Sequence, residues 1–242
     1  DRVANENERT TLRELVKRAL KHEPVQYIVG NAWFFGIELQ VNDSTLIPRS
    51  CTERMVEQAI EFCKTSLPNE KARIADIGTG TGCIAITLAA NMPEATIVAT
   101  DISLDALELT QTNALLHKVD SQISCIEGDG VTPLLNLEPF DVICSNPPYI
   151  PDCELAGLNA NVIDWEPKLA LSGGEEGLDV VSSILRDAPK ILNPEGLLII
   201  EIASSTRDNC IALAQAQGDF QDFKIIRDAY GDDRFLRAIR RA

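Results

Sequence analysis

The chain has 242 residues, 45% of them apolar, and a formal net charge of −15. That length suits one large domain or a domain with a small appendage. No run approaches the roughly 20 apolar residues of a membrane span, and the acidic balance speaks against a partner held mainly through a phosphate backbone. Residues 8–22 place Leu12, Leu15, Val16, Ala19 and Leu20 at helical spacing. Such a helix is too short to fold alone, so it either packs on the main domain or closes a longer helical region. Ala32 to Phe35, then Ile37, Leu39 and Val41 in alternation beyond Gly36, predict a β-hairpin. Ser50 and Glu53 have capping-box spacing ahead of a helix that carries Met55, Val56, Ala59 and Ile60.

From residue 72 the pattern becomes regular. Apolar runs near 73–77, 96–100, 122–126, 140–145 and 197–202 alternate with helical stretches near 81–91, 103–117, 176–191 and 206–217. Alternation of this kind, with buried strands, predicts a parallel sheet covered on both faces. The last two runs, 222–230 and 234–240, read as a closing antiparallel hairpin about Gly231. Residues 150–175 are rich in Pro, Asn and Gly and read as a long loop, a length more often functional than idle. Seven cysteines form no CxxC pair, and there are only two histidines. Free thiols in a reducing compartment are expected, and no metal site. The polar start shows no secretory signal, so a cytoplasmic location is expected.

Two stretches carry chemistry. Asp76-Ile77-Gly78-Thr79-Gly80-Thr81-Gly82 runs from a strand through a glycine-rich turn into a helix. Glycines let a ligand approach the backbone closely. Cys83 stands where the dinucleotide fingerprint needs glycine, and a carboxylate before the turn suits an amine-bearing cofactor better than a pyrophosphate. Asp101 ends the second strand run, where an acid commonly receives ribose hydroxyls; capping the following helix is its ordinary role. Gly128-Asp129-Gly130 ends the third run, in position to border the base of a nucleoside.

The second stretch is Asn146-Pro147-Pro148-Tyr149, directly after the run 140–145. Paired prolines stiffen the backbone and push the preceding residues into extended conformations. The Asn146 side chain and the Pro147 carbonyl are then two aimed hydrogen-bond acceptors, and Tyr149 offers a flat face. This clamp suits a planar –NH2 group, holding both N–H bonds while the nitrogen faces outward for alkylation.

Together these residues resemble the S-adenosylmethionine-dependent methyltransferases of the Rossmann-like class I fold. The Asn-Pro-Pro-Tyr string narrows the resemblance to amino-group methyltransferases. Glu23-Pro24-Val25-Gln26-Tyr27-Ile28-Val29-Gly30, Leu46-Ile47-Pro48-Arg49, Thr52-Glu53, Trp165 to Leu171 and Gly231-Asp232-Asp233-Arg234 are similar to strings of the HemK family. Those are protein-(glutamine-N5) methyltransferases acting on the Gly-Gly-Gln tripeptide of peptide chain release factors. The resemblance implies a mostly parallel seven-stranded sheet with a closing antiparallel hairpin, plus a small N-terminal helix and hairpin. It implies residues 1–30 as the end of a helical substrate-docking domain, 31–50 as a β-hairpin linker and 51–242 as the methyltransferase domain. Asn146, Pro147, Pro148 and Tyr149 would be catalytic. Asp76, Gly78, Thr79, Gly80, Thr81, Gly82, Asp101, Ile102, Asp129, Gly130 and Asn146 would hold S-adenosyl-L-methionine, which leaves as S-adenosyl-L-homocysteine. Arg49, Glu53 and Glu166 are candidates for the substrate channel.

The expected partner is a release factor, with neither nucleic acid nor membrane, and a monomer is expected. Ser50-Cys51 stands where the family usually has Pro and an acid, and ribosomal-protein glutamine methyltransferases often have Ser at the first of these positions. A ribosomal-protein target therefore stays open. So do a nucleic-acid adenine methyltransferase using the same clamp on a flipped base, and a non-catalytic binding module.

Overall fold

The computed structural model describes residues 2–67 and 71–242. Helix α1 (Glu6–Ala19) starts earlier than the apolar spacing predicts, because Asn5 and Glu8 form a capping box. It buries none of its residues. A short helix α2 (Val25–Val29) ends at Gly30 and leads into the expected hairpin, β1 (Asn31–Phe34) and β2 (Ile37–Gln40). The capping box expected at Ser50 is absent. Residues 50–52 form a tight 3-10 turn before α3 (Glu53–Ser66), and Glu53 instead accepts the backbone N–H of Phe35 at 2.7 Å.

Seven strands follow: β3 (Arg73–Ile77), β4 (Thr96–Asp101), β5 (Ile123–Glu127), β6 (Phe140–Ser145), β7 (Leu192–Glu201), β8 (Phe220–Arg227) and β9 (Asp233–Arg240). They form one sheet in the order β5-β4-β3-β6-β7-β9-β8. The first five run parallel, and β9 is antiparallel to both β7 and β8. The helices are α4 (Cys83–Asn91), α5 (Leu104–Leu116), α6 (Ala160–Ile163), α7 (Asp179–Asp187) and α8 (Arg207–Gln217). Helix α7 is shorter at both ends than the predicted 176–191, because Gly177 adopts φ 72° and Pro189 supplies no N–H. Strand β7 is longer than predicted: Leu192 pairs with Phe140 before a bulge.

Strand side chains alternate between two cores, the period-2 consequence of the pleat. Ile74, Val142, Cys144, Leu197 and Ile199 face α3 and α4. Ala75, Ile77, Ile143, Leu198 and Ile200 face α7 and α8. Phe34 and Leu39 of the hairpin join the first core, so packing shows no break between the hairpin and the sheet domain. A smaller cluster of Tyr27, Ala32, Val41 and Ile47, with Trp165 against it, ties α2 to the long loop. That loop is less irregular than its composition suggests. Ile150 pairs in parallel with Ser172, and Gly174 carbonyl accepts from Asp152 N–H.

Candidate active site

The carboxyl ends of β3, β4, β5 and β6 open on one cavity of about 260 Å³. In open parallel sheets ligands bind at such an edge, where neighbouring connections diverge. Here they diverge between β3 and β6, whose ends are paired at Ile77 and Ser145. The Ser145 hydroxyl donates to Ile77 carbonyl at 2.8 Å, locking the two together.

From β3 comes the glycine turn. Gly78, Thr79, Gly80 and Thr81 line the cavity. Gly78 and Gly80 have φ of 72° and 57°. A Cβ on Gly78 would meet nothing within 4 Å, so the space above it is open to a ligand. Gly82 serves packing instead: its Cβ would come within 2.8 Å of Ile86 and 2.9 Å of Thr110. Asp76 is wholly buried behind the turn. Its Oδ2 accepts from Thr79 Oγ1 at 2.7 Å and from Ala85 N–H at 3.1 Å, while Oδ1 has no partner among the described residues. Burial raises its pKa to about 6, against those two hydrogen bonds.

From β4 comes Asp101. Its Oδ2 accepts Gly80 N–H at 2.9 Å and its Oδ1 accepts Ser103 N–H at 3.0 Å. It therefore braces the turn and the start of α5 while lining the cavity. Each carboxylate oxygen has a second lone pair to offer. Ile102, half-exposed, lines the same wall. Asp129 and Gly130 reach the cavity from β5.

From β6 come Asn146, Pro147 and Pro148, all lining the cavity. Tyr149 is placed differently from the sequence expectation. It does not line the cavity, and its hydroxyl donates to Glu201 at 3.0 Å. Burial, reinforced by the Glu201 charge, raises its pKa.

The channel candidates separate. Arg49 lines the cavity and pairs at 2.5 Å with Glu166, whose buried carboxylate also accepts Ile47 N–H at 3.3 Å. Burial raises the Glu166 pKa, opposed by Arg49. The pair ties the Ile47–Arg49 segment to the long loop, and Leu169 and Ala170 of that loop roof the cavity. Glu53 does not line it and holds the hairpin turn, as above. In the Thr52-Glu53 string it is Thr52 that faces the cavity. Sequence reasoning also missed Thr45, which sits over the glycine turn with a buried hydroxyl that has no partner among the described residues, and Glu201. A lone Thr in a turn and a Glu ending an apolar strand carry no periodic signal.

The lining suits S-adenosylmethionine. Among the described residues it combines open glycine backbone, the carboxylates Asp101 and Asp129, the buried Thr45 hydroxyl and one guanidinium, Arg49, already neutralised by Glu166. Among the described lining residues, two carboxylates and no unpaired cation oppose a pyrophosphate.

The Methyltransferase small domain family matches residues 52–164, and the PrmC N-terminal domain family matches residues 1–30. The chain is 39% identical over 241 residues to the release factor glutamine methyltransferase of Nitratidesulfovibrio vulgaris, covering 99% of this chain and 80% of that one. To the enzyme of the same name from Geobacter sulfurreducens it is 38% identical, covering 98% and 80%. Among solved structures, a methyltransferase from Pyrococcus furiosus superposes with a TM-score of 0.60 at 18% identity, over 98% of this chain and 100% of that one. At that identity the likeness shows the fold, that of class I methyltransferases.

Proposed function

The chain belongs to the family of release factor glutamine methyltransferases, and from that premise we propose that it transfers a methyl group from S-adenosyl-L-methionine to the glutamine side-chain amide nitrogen of the Gly-Gly-Gln motif in peptide chain release factors. Residues 1–30 are read as the end of a helical docking region, 31–50 as the hairpin and 51–242 as the transfer domain. The observation that carries the reading is the pairing of β3 with β6, which sets the glycine turn and the Asn146 loop side by side on one cavity.

Gly78, Thr79, Gly80 and Thr81 hold the cofactor's amino-acid end, Asp101 its ribose hydroxyls, and Ile102, Asp129 and Gly130 its base. Gly82 and Asp76 support the turn from behind. Bound there, the cofactor supplies a sulfonium methyl, an electrophile able to alkylate nitrogen. An amide nitrogen is a poor nucleophile because its lone pair is delocalised into the carbonyl. The chain's own contribution is therefore orientation. Asn146 Oδ1 and the Pro147 carbonyl accept the two amide N–H bonds and favour the positive charge that grows on nitrogen. Pro148 keeps that carbonyl fixed. Tyr149 anchors the end of the loop. The protonated product amide is strongly acidic, so no dedicated base is needed. Arg49 and Glu166 hold the roof through which the substrate loop enters, and Glu53 supports the neighbouring hairpin.

The −15 net charge supports a protein rather than a nucleic-acid substrate. No helix among the described residues is long and apolar enough to cross a membrane. A cytoplasmic monomer fits this reading.

The test is single-turnover methyl transfer to a release-factor domain bearing Gly-Gly-Gln, with a Gln-to-Ala substrate as control. Asn146→Ala is expected to lower the rate about 10²–10³-fold with cofactor affinity largely kept. A near wild-type rate, or equal labelling of the control, would sink the reading.

A further inference from the structure

The clamp works only if the Asn146 amide is the right way round, with its oxygen free for the substrate. We propose that Glu201, at the carboxyl end of β7, sets that orientation through Thr52 and is a positioning residue for methyl transfer; the inference rests on the reading of Asn146 given above.

Glu201 is fully buried. Its Oε2 lies 2.7 Å from Thr52 Oγ1 and its Oε1 lies 3.0 Å from the Tyr149 hydroxyl. A carboxylate only accepts, so both hydroxyl protons must point at it. Thr52 has then spent its one proton, and its oxygen can only accept. Asn146 Nδ2 lies 3.4 Å from that oxygen. With the amide turned over, Oδ1 would face Thr52 lone pair to lone pair, near a carboxylate and with no proton between them. The relay from Glu201 to Thr52 to Asn146 therefore selects one of two amide orientations that differ little in shape. The same carboxylate fixes the Tyr149 hydroxyl. Both ends of the Asn146–Tyr149 loop thus hang from one residue on the adjacent strand.

The relay holds only while Glu201 is ionised. A protonated Glu201 gains a donor, Thr52 can turn its own proton towards Asn146, and the inverted amide becomes acceptable. Burial raises the Glu201 pKa, opposed by the Thr52 and Tyr149 hydrogen bonds and by Arg234 and Arg49. The other titratable groups near it are Cys51, 4.0 Å from Oε1, and Cys83, both thiols whose pKa burial raises. Neither competes for the Thr52 proton.

The test compares Thr52→Val, which keeps the side chain's shape, Thr52→Ser, which keeps its hydroxyl, and Glu201→Gln. The assay is single-turnover transfer to the Gly-Gly-Gln domain across pH, with cofactor affinity measured separately. Thr52→Val is expected to slow transfer roughly tenfold to a hundredfold, as small misplacements of an orienting group do, with cofactor affinity within about threefold. Thr52→Ser restores most of the rate. Glu201→Gln removes the acid limb that the parent shows as Glu201 protonates, an effect a merely structural residue would not have. Wild-type transfer by Thr52→Val, equal slowing by Thr52→Ser, or an acid limb that survives Glu201→Gln overturns the relay. If Asn146→Ala is inactive while Thr52→Val is not, only the relay fails. If the parent leaves Gly-Gly-Gln unlabelled, the site reading fails and the relay with it.

Discussion

Asp101 enters any ligand complex with both carboxylate oxygens already accepting, from Gly80 and from Ser103. Its loss therefore acts twice. Asp101→Ala should weaken S-adenosylmethionine binding by about 1.5–3 kcal/mol, the cost of a hydrogen bond to a charged group, and should also lower the melting temperature because two backbone donors lose their acceptor. Calorimetry and thermal melts read the two effects separately, and unchanged cofactor affinity in the folded variant removes Asp101 from the site. Asp76 makes a different prediction. Its pKa, raised by burial to about 6 from an ordinary 3.8, means that the fold favours the protonated acid. That contribution is complete below the unfolded value and is lost as pH rises through the folded one. Asp76→Asn abolishes the titration, so its stability relative to the parent should improve by roughly 2 kcal/mol between about pH 4 and pH 7. Denaturant melts at the two pH values check this; a gap that does not change with pH contradicts it.

At the scale of elements, the Asn146 loop is supported from below by the turn that precedes α7. A Cβ on Gly177 would lie 2.4 Å from the Tyr149 carbonyl, in a backbone with φ of 72°. Gly177→Ala should therefore slow methyl transfer and destabilise the protein. Gly36→Ala, at a similar φ but with nothing within 4 Å, should cost only the conformational strain, about 1–2 kcal/mol. Equal transfer rates in the two variants would show that the Gly177 contact does not reach the loop. Much of this framework was legible beforehand. Strands β3 and β6 lie where the apolar runs predict, because a strand buried on both faces must be continuously apolar. The hairpin was legible from Gly36 and its flanking alternation. Residues 150–175 were not, since their order rests on contacts such as the bridge from Ile150 to Ser172, which no local pattern announces. The same holds for Glu53 and Glu201. Each is an ordinary polar residue beside an apolar run, and its role comes from a partner 18 residues away in one case and from Thr52, on the far side of the sheet sequence, in the other.

For the whole molecule, charge makes the plainest prediction. With a net charge of −15 and, among the described residues, no unpaired cation on the cavity wall, duplex DNA should bind weakly, and its adenines should stay unmethylated even at low ionic strength, where phosphate contacts are strongest. A salt-sensitive complex with labelled adenine in a filter-binding and methylation assay would favour the nucleic-acid alternative. The sheet order has a longer reach. Strands β4 and β5 lie to one side of β3, and β7, β9 and β8 lie beyond β6. The residues read here as gripping the donor fall between 76 and 130, and the clamp and roof read as presenting the acceptor fall between 146 and 201, joined by Arg49 and Thr52 from the segment before the sheet. Apart from what precedes the sheet, the two halves of the reaction are thus two successive paragraphs of the polypeptide, stitched at the seam where Ser145 meets Ile77. A lineage can rewrite the second, and with it the molecule that receives the methyl group, while inheriting the first unaltered. An engineer seeking a new acceptor for this donor should work on the far side of that seam.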